Sequence, residues 1–447
     1  MDMDKHRLDP AFDFAASEKS ILLHEGLAKV SINGVAYAGD GEVRLELLPR
    51  ANIRLYGKFQ GVPPADALMP MTGQKTISSF SINDRQVEGF FLNIGGDVTA
   101  QEMTVKWCPK SEPINGVGDE STQMTLLVFH LFNFVDLIGT RRSTEQSGTT
   151  IHAIEHVDLV CDEWKVELKS LISTRENIKL LKEEGGYRLT HIGGIQKADG
   201  TSFSGKDADE CLYAIRFFLS FAKGGWCEPI CAAGFDASGS RVWESWSSPR
   251  EPWHSPLSWF DPHDGTQLAT LFPGFMERWA NDDWHEALHE VIYWYLNANL
   301  SSRGIDASII LTQAAIERLS YEYSVKDKRL LTVKGFKDLW ASDKFRLLFS
   351  SVKIPLDSPG EISELQRLAC NMNWLDAPHT LTEVRNSLVH PEHKHRGQFG
   401  AAYYEAWNLG LWYLEMGILA ICSYSGTYGN RLKQRWVGQV EDVPWKK

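Results

Sequence analysis

No cysteine framework is present in this sequence. Its seven cysteines, Cys108, Cys161, Cys211, Cys227, Cys231, Cys370 and Cys422, are scattered, odd in number and never spaced as CxxC. That excludes a disulfide scaffold and a zinc ribbon, and makes reduced thiols in a cytoplasmic protein the expectation. A phosphate-cradling glycine loop is also missing. Val333-Lys334-Gly335 lacks P-loop spacing, so an NTPase is not expected. There is no internal repeat and no low-complexity run, which argues against a solenoid. Residues 1–7 have no apolar run behind them, so no signal peptide is expected. The most apolar stretch, 409–424, carries Glu415 and follows Glu405. It is expected to be a buried bundle helix and not a membrane span. No cofactor is expected.

What is present is apolar and aromatic. Of 447 residues, 43% are hydrophobic and 16 are Trp, enough for sizeable cores and against disorder. The net charge of −12 is uneven. Residues 283–447 hold 19 basic and 19 acidic residues, and 1–282 hold the remaining 27 and 39. Phosphate contacts need local positive charge, so a surface for RNA belongs in the neutral C-terminal part.

The pattern predicts an α+β protein in three regions. Residues 1–140 are expected to form a β-rich, sandwich-like domain. Val43-Arg44-Leu45-Glu46-Leu47 alternates with period two. Asn33-Gly34, Gly39-Asp40-Gly41 and Asn93-Ile94-Gly95-Gly96 carry turn chemistry, and 124–134 has the length and composition of a strand. Residues 141–264 are mixed α/β. Strands are expected at 164–168 and 187–195. Ser204-Gly205-Lys206-Asp207 resembles a capping box that opens a helix over 208–223, ended by Gly224-Gly225. A Trp-rich stretch with Trp226, Trp243, Trp246, Trp253 and Trp259 follows, read as packed loops. Residues 265–447 are expected to be all-helical, with helices at 282–300, 306–323, 336–352, 361–371, 381–389 and 400–425.

Within the last region, Arg385-Asn386-Ser387-Leu388-Val389-His390-Pro391 ends a predicted helix. Pro391 disfavours helical backbone at His390, which places that imidazole at the helix mouth. The carbonyls of a helix C-terminus favour its protonated form. Arg385 offers a planar fork for phosphate oxygens, His390 can move a proton near neutral pH, and Asn386 can orient either. Such a set suits RNA cleavage in which the 2′-hydroxyl attacks its own phosphodiester. DNA lacks that group. The following His393, Lys394, His395 and Arg396 form a basic patch suited to binding the RNA backbone.

Arg385-Asn386-Ser387-Leu388-Val389-His390 resembles the RNxxxH form of the Rx(4–6)H motif of the HEPN superfamily, over roughly residues 283–425. The resemblance implies a small helical bundle that dimerises so that two motifs share a cleft. It also implies an endoribonuclease acting on RNA, including tRNA, or else a non-catalytic nucleotide binder. It further implies an acidic residue on an earlier helix, for which Glu317 is the match, with Arg385 as its natural partner. A β-rich front joined to such a domain resembles ApeA-type antiphage proteins, which implies a phage-derived or antitoxin-like partner. A competing motif is His285-Glu286-Ala287-Leu288-His289, a literal HExxH that would make a zinc peptidase. Asp282, Asp283 and Glu290 flank it, unlike the uncharged surroundings of zincin helices.

Overall fold

The computed structural model describes residues 8–14, 19–32, 34–63, 77–97, 99–146, 149–300, 304–390, 392, 395 and 398–446. The α+β class holds: a strand-rich front is followed by a helical C-terminal part. The chain divides into two compact units. Residues 1–134, 164–212 and 228–254 make the first, and 135–163, 213–227 and 255–447 the second. The middle segment 141–264 is thus shared between them.

The first unit opens with β1 (Ser20–Ile32), β2 (Val35–Glu46), β3 (Asn52–Gln60), β4 (Ile77–Ile82), β5 (Arg85–Val87), β6 (Gly89–Gly95) and β7 (Glu102–Pro109). They form one antiparallel sheet in the order β5-β4-β1-β2-β3-β7-β6. The alternation at 43–47 does what period two requires: Val43, Leu45 and Leu47 are buried while Arg44 and Glu46 lie outward. One expectation is corrected here. Gly39-Asp40-Gly41 is not a turn but lies inside β2, paired with Gly57, Lys58 and Phe59 of β3. A Cβ on Gly39 would lie 2.0 Å from the Lys58 carbonyl oxygen, so this glycine serves close strand approach and not a bend.

Next come β8 (Ile114–Asn115), β9 (Gln123–Met124) and β10 (Leu126–Phe132). A hairpin of the second unit follows, β11 (Thr140–Gln146) and β12 (Thr149–Val160). The chain then returns with β13 (Trp164–Ser170), α1 (Thr174–Glu184), β14 (Leu189–Lys197), β15 (Phe203–Ser204), α2 (Gly205–Lys223), whose residues from Tyr213 on belong to the second unit, β16 (Pro229–Phe235) and β17 (Arg241–Trp246). Within the first unit, β13-β14-β10-β16-β17-β8 pair antiparallel in that order. One apolar core takes Val43, Phe59, Phe80 and Trp107 from the first sheet and Phe132, Ile230 and Trp246 from this one. Trp243 and Trp246 are therefore buried strand residues, which corrects the reading of the Trp-rich stretch as loops. The capping box is real and starts α2 three residues earlier than expected. Ser204 Oγ accepts from the Asp207 amide at 3.2 Å, and Asp207 Oδ2 accepts from the Ser204 amide at 2.9 Å.

The second unit is built on helices: α3 (Thr266–Trp279), α4 (Asp282–Ala298), α5 (Ile305–Tyr321), α6 (Val333–Lys337), α7 (Ala341–Ser351), α8 (Ser363–Met372), α9 (Ala377–Val389) and α10 (Tyr403–Ile421). A π-helical segment, Glu322–Asp327, prolongs α5. The single helix expected at 336–352 is two, broken between Lys337 and Ala341. The region is also not purely helical, since a short hairpin, β18 (Thr427–Tyr428) with β19 (Glu441–Asp442), follows α10. Helix α10 is the axis: every residue from 406 to 419 is buried. Gly410 lets α5 come close, since a Cβ there would lie 2.9 Å from Thr312 Oγ1. Among the described residues no helix is long and apolar enough to cross a membrane.

A carboxylate inside such a helix needs partners, and Glu415 has them. Its side chain and that of Arg431 are 0% and 1% exposed. Arg431 Nε and Nη2 donate to Glu415 Oε2 and Oε1 at 3.0 and 2.7 Å, and the Tyr295 hydroxyl donates to Oε1 at 2.6 Å. Arg431 also donates to Asn299 Oδ1 at 3.1 Å and to the Leu257 carbonyl at 2.8 Å.

These buried groups set measurable stabilities. Arg431→Met alone should destabilise the protein by about 3–5 kcal/mol, because it strands a buried carboxylate, whereas Arg431→Met with Glu415→Leu should recover most of that loss. Urea unfolding followed by Trp fluorescence measures both. Burial holds His130 at about 4 and His191 at about 3, against 6.5 for the free side chain. Below pH 6.5 the unfolded chain therefore binds protons that the folded chain refuses. Stability is full above about pH 6.5 and should fall by about 1.4 kcal/mol per pH unit per histidine as pH drops toward about 4. His130→Asn should flatten that slope, and an unchanged slope would remove His130 from the effect.

Candidate functional site

Helix α9 carries the RNxxxH segment, and it starts a turn earlier than 381. Asp376 caps it, accepting from the His379 amide at 2.9 Å, and Pro378 sits in its first turn. The cap is itself held: Arg346 Nε and Nη2 on α7 donate to the two Asp376 oxygens at 2.6 and 2.9 Å. Leu381, Val384 and Ser387 form its buried face, and Gln313 on α5 donates to the Leu381 carbonyl at 2.5 Å. The helix is therefore fixed at its start, its middle and along one side.

The other side carries the candidate chemistry. Glu383, Asn386 and His390 recur at i, i+3 and i+7, which is one stripe of an α-helix. Asn386 Nδ2 donates to Glu383 Oε1 at 3.3 Å, and Arg385 Nη1 reaches across to Asn386 Oδ1 at 3.4 Å. His390 is the C-cap, with φ −96° and ψ 112°, the extended backbone expected ahead of a proline. Its amide donates to the Asn386 carbonyl at 3.0 Å and closes the final turn of α9, so the histidine stays tied to the helix. Asn386 is thereby engaged through both its backbone and its side chain. The His390 imidazole is 49% exposed, with Nδ1 3.9 Å from Glu392 Oε1.

The remaining expected residues are placed differently. Glu317 on α5 does not pair with Arg385. Its carboxylate takes Lys344 Nζ of α7 at 2.5 Å and is 43% exposed, so the expected Glu317–Arg385 pairing is corrected to Glu317–Lys344. Lys344 is the nearer cation because α7 packs directly on α5. His395 makes local contacts: Nδ1 lies 3.2 Å from Gln398 Oε1, and its ring lies 5.8 Å from Phe399, which in turn packs on Trp374. His393, Lys394 and Arg396, with Pro391, lie outside the described residues.

The HExxH segment lies on α4, and its side chains have packing partners. His285 Nδ1 is 3.0 Å from the Trp279 carbonyl, and its ring lies 4.6 Å from that indole. His289 packs on Phe217 at 4.8 Å and Tyr213 at 6.1 Å, and burial, then the neighbouring His285, lower its pKa. Glu286 lies 3.7 Å from Arg318, which also pairs with Glu290 and Glu322. A peptidase centre would require these groups to leave their present contacts. Among the described residues, no three His, Cys, Asp or Glu side chains group as a metal site.

Sequence reasoning missed Glu383, Asp376, Arg346 and Lys344. Asp376-Ala377-Pro378 is a helix-start signature that was there to be read. Glu383 could have been found from its i, i+3 spacing to Asn386. No local signal points Arg346 to Asp376 or Lys344 to Glu317, since these partners are far along the chain.

Against this geometry the comparisons with known proteins fall into two levels. At the level of class, two domain families match: the YopA central domain over residues 119–256 and the YopA C-terminal domain over residues 281–442. The second match spans α4 to α10 and so includes the RNxxxH segment, Glu317 and the HExxH segment. At the level of individual proteins, the chain is similar to the SPbeta prophage-derived uncharacterized protein YopA of Bacillus subtilis (strain 168). The two are 27% identical over 420 residues, which cover 91% of this chain and 90% of that protein. No solved structure matches.

The double role of Asp376 gives a direct test. Asp376→Ala removes the cap and leaves Arg346 with Asp343 as its remaining carboxylate partner, and should cost about 1–3 kcal/mol. Amide hydrogen exchange should quicken first in the opening turn of α9. Equal protection there in both proteins would show that the cap does not hold the helix.

Proposed function

We propose that the helical unit is a metal-independent endoribonuclease of HEPN type. The observation that carries this reading is the grouping of Arg385, Asn386 and His390 at the exposed end of one firmly held helix. In this mechanism the RNA 2′-oxygen bonds to its own phosphorus while the bond from phosphorus to the 5′-oxygen breaks. His390, on the exposed helix mouth, takes the proton from the 2′-hydroxyl and returns it to the departing 5′-oxygen, leaving a 2′,3′-cyclic phosphate and a 5′-hydroxyl. Arg385 presents donors to the phosphate oxygens as charge develops on them. The substrate supplies its own nucleophile, so no metal-bound water is required, and DNA is not cut.

The wider setting belongs to the same proposal. The protein acts in the cytoplasm as a homodimer through its helical unit, on RNA, including tRNA. Its role is toxin-like or antiphage, with a phage-derived or antitoxin-like protein as partner. The similarity to a prophage-derived protein supports a phage-linked context. A second reading, a non-catalytic protein that binds RNA or a nucleotide on the same fold, draws support from Glu317. The acid that would join the motif is held by Lys344 instead.

Cleavage of total RNA by the purified chain in EDTA separates these readings. Arg385→Ala and His390→Ala should each lower the rate by at least about 100-fold, and induced expression of the wild type should slow growth through His390. RNA binding with no cleavage by the wild type would favour the second reading. Cleavage unchanged in both variants would remove this site from the chemistry.

A further inference from the structure

The contacts around Asn386 contain more than the motif. A carboxylate accepts hydrogen bonds and cannot donate them, and an amide has one face of each kind. Because Glu383 Oε1 lies 3.3 Å from Asn386 Nδ2, the Asn386 amide must turn its NH2 group toward Glu383. That leaves Oδ1 directed at Arg385, where Nη1 lies 3.4 Å away. Glu383 therefore decides which way Asn386 faces, and Asn386 decides where the guanidinium rests.

The separation matters for charge. A direct Glu–Arg bridge would occupy the guanidinium fork and compete with any phosphate. Through the neutral amide, the carboxylate orients Arg385 while the contact engages only one end of the guanidinium fork. The spacing supports the same point: Glu383, Asn386 and His390 share one helix stripe, and Arg385 is drawn toward that stripe by Asn386.

We propose that Glu383 is a positioning residue for the phosphate-binding arginine, acting through the Asn386 amide. This rests on the ribonuclease reading of the site. The variants are Glu383→Gln, whose Oε1 can still accept from Asn386, Glu383→Ala, which cannot, and Glu383→Lys, which donates and would flip the amide. Two readouts apply to the full chain, each tied to its own question. The first is the Asn386 side-chain NH2 signals in protein labelled with 15N-asparagine. They should shift in Glu383→Ala and Glu383→Lys and stay near wild type in Glu383→Gln. The second is single-turnover cleavage of RNA in EDTA, expected to fall about 10- to 100-fold in Glu383→Ala, further in Glu383→Lys, and only a few-fold in Glu383→Gln. Unmoved NH2 signals in Glu383→Ala would overturn the proposal whether or not the protein cuts RNA. Shifted signals with equal cleavage in all variants would overturn it too. If the wild type cuts nothing, the ribonuclease reading fails, and the NH2 signals alone still decide whether Glu383 orients Asn386.

Discussion

The buried pair of Glu415 and Arg431 is the constraint around which the helical unit is organised. A carboxylate at the centre of an apolar helix is stable only if its charge is matched and its oxygens are satisfied. Arg431 supplies two bonds and Tyr295 a third. Because Arg431 lies beyond the end of α10, the chain must fold back to deliver it. On arrival it also binds Asn299, at the end of α4, and the Leu257 carbonyl ahead of α3. One guanidinium thus fastens several separate pieces of chain, and α10, the element it pins, is the axis against which α5 packs.

From that axis the support reaches the motif helix in short steps. α5 crosses α10 closely at Gly410 and gives Gln313 to the interior of α9. α7 packs on α5 and gives Arg346 to the Asp376 cap. With its start, middle and apolar face held, α9 turns one stripe outward, and that stripe carries Glu383, Asn386 and His390. A helix held in this way can keep side chains in fixed relation more firmly than a surface loop could. This is the physical ground for proposing a site at its end.

Much of this was legible in local chemistry. Alternation at 43–47, the reciprocal bonds of Ser204 and Asp207, and the proline after His390 each act within a few residues, and each produced the element it signalled. Failures came where distance in sequence mattered. Gly39 and Gly41 looked like turn residues, yet they lie in β2 because neighbouring groups come too close for a side chain. Trp243 and Trp246 looked like loop aromatics, yet strand pairing carries them into the interior. Glu317 looked like a partner for Arg385, yet the packing of α7 brings Lys344 to it first.

The sequence by itself determined the α+β class, the helical character of the C-terminal part, and the RNxxxH segment with His390 at a helix mouth. These follow from periodicity, capping and proline geometry, which are short-range. Only the tertiary structure decided that Glu317 is taken by Lys344, that Arg346 holds the cap of α9, and that Glu415 finds Arg431. Ion pairs and side-chain hydrogen bonds form within about 3 Å of space. Which groups come that close is set by how helices pack, and sequence spacing alone does not contain it.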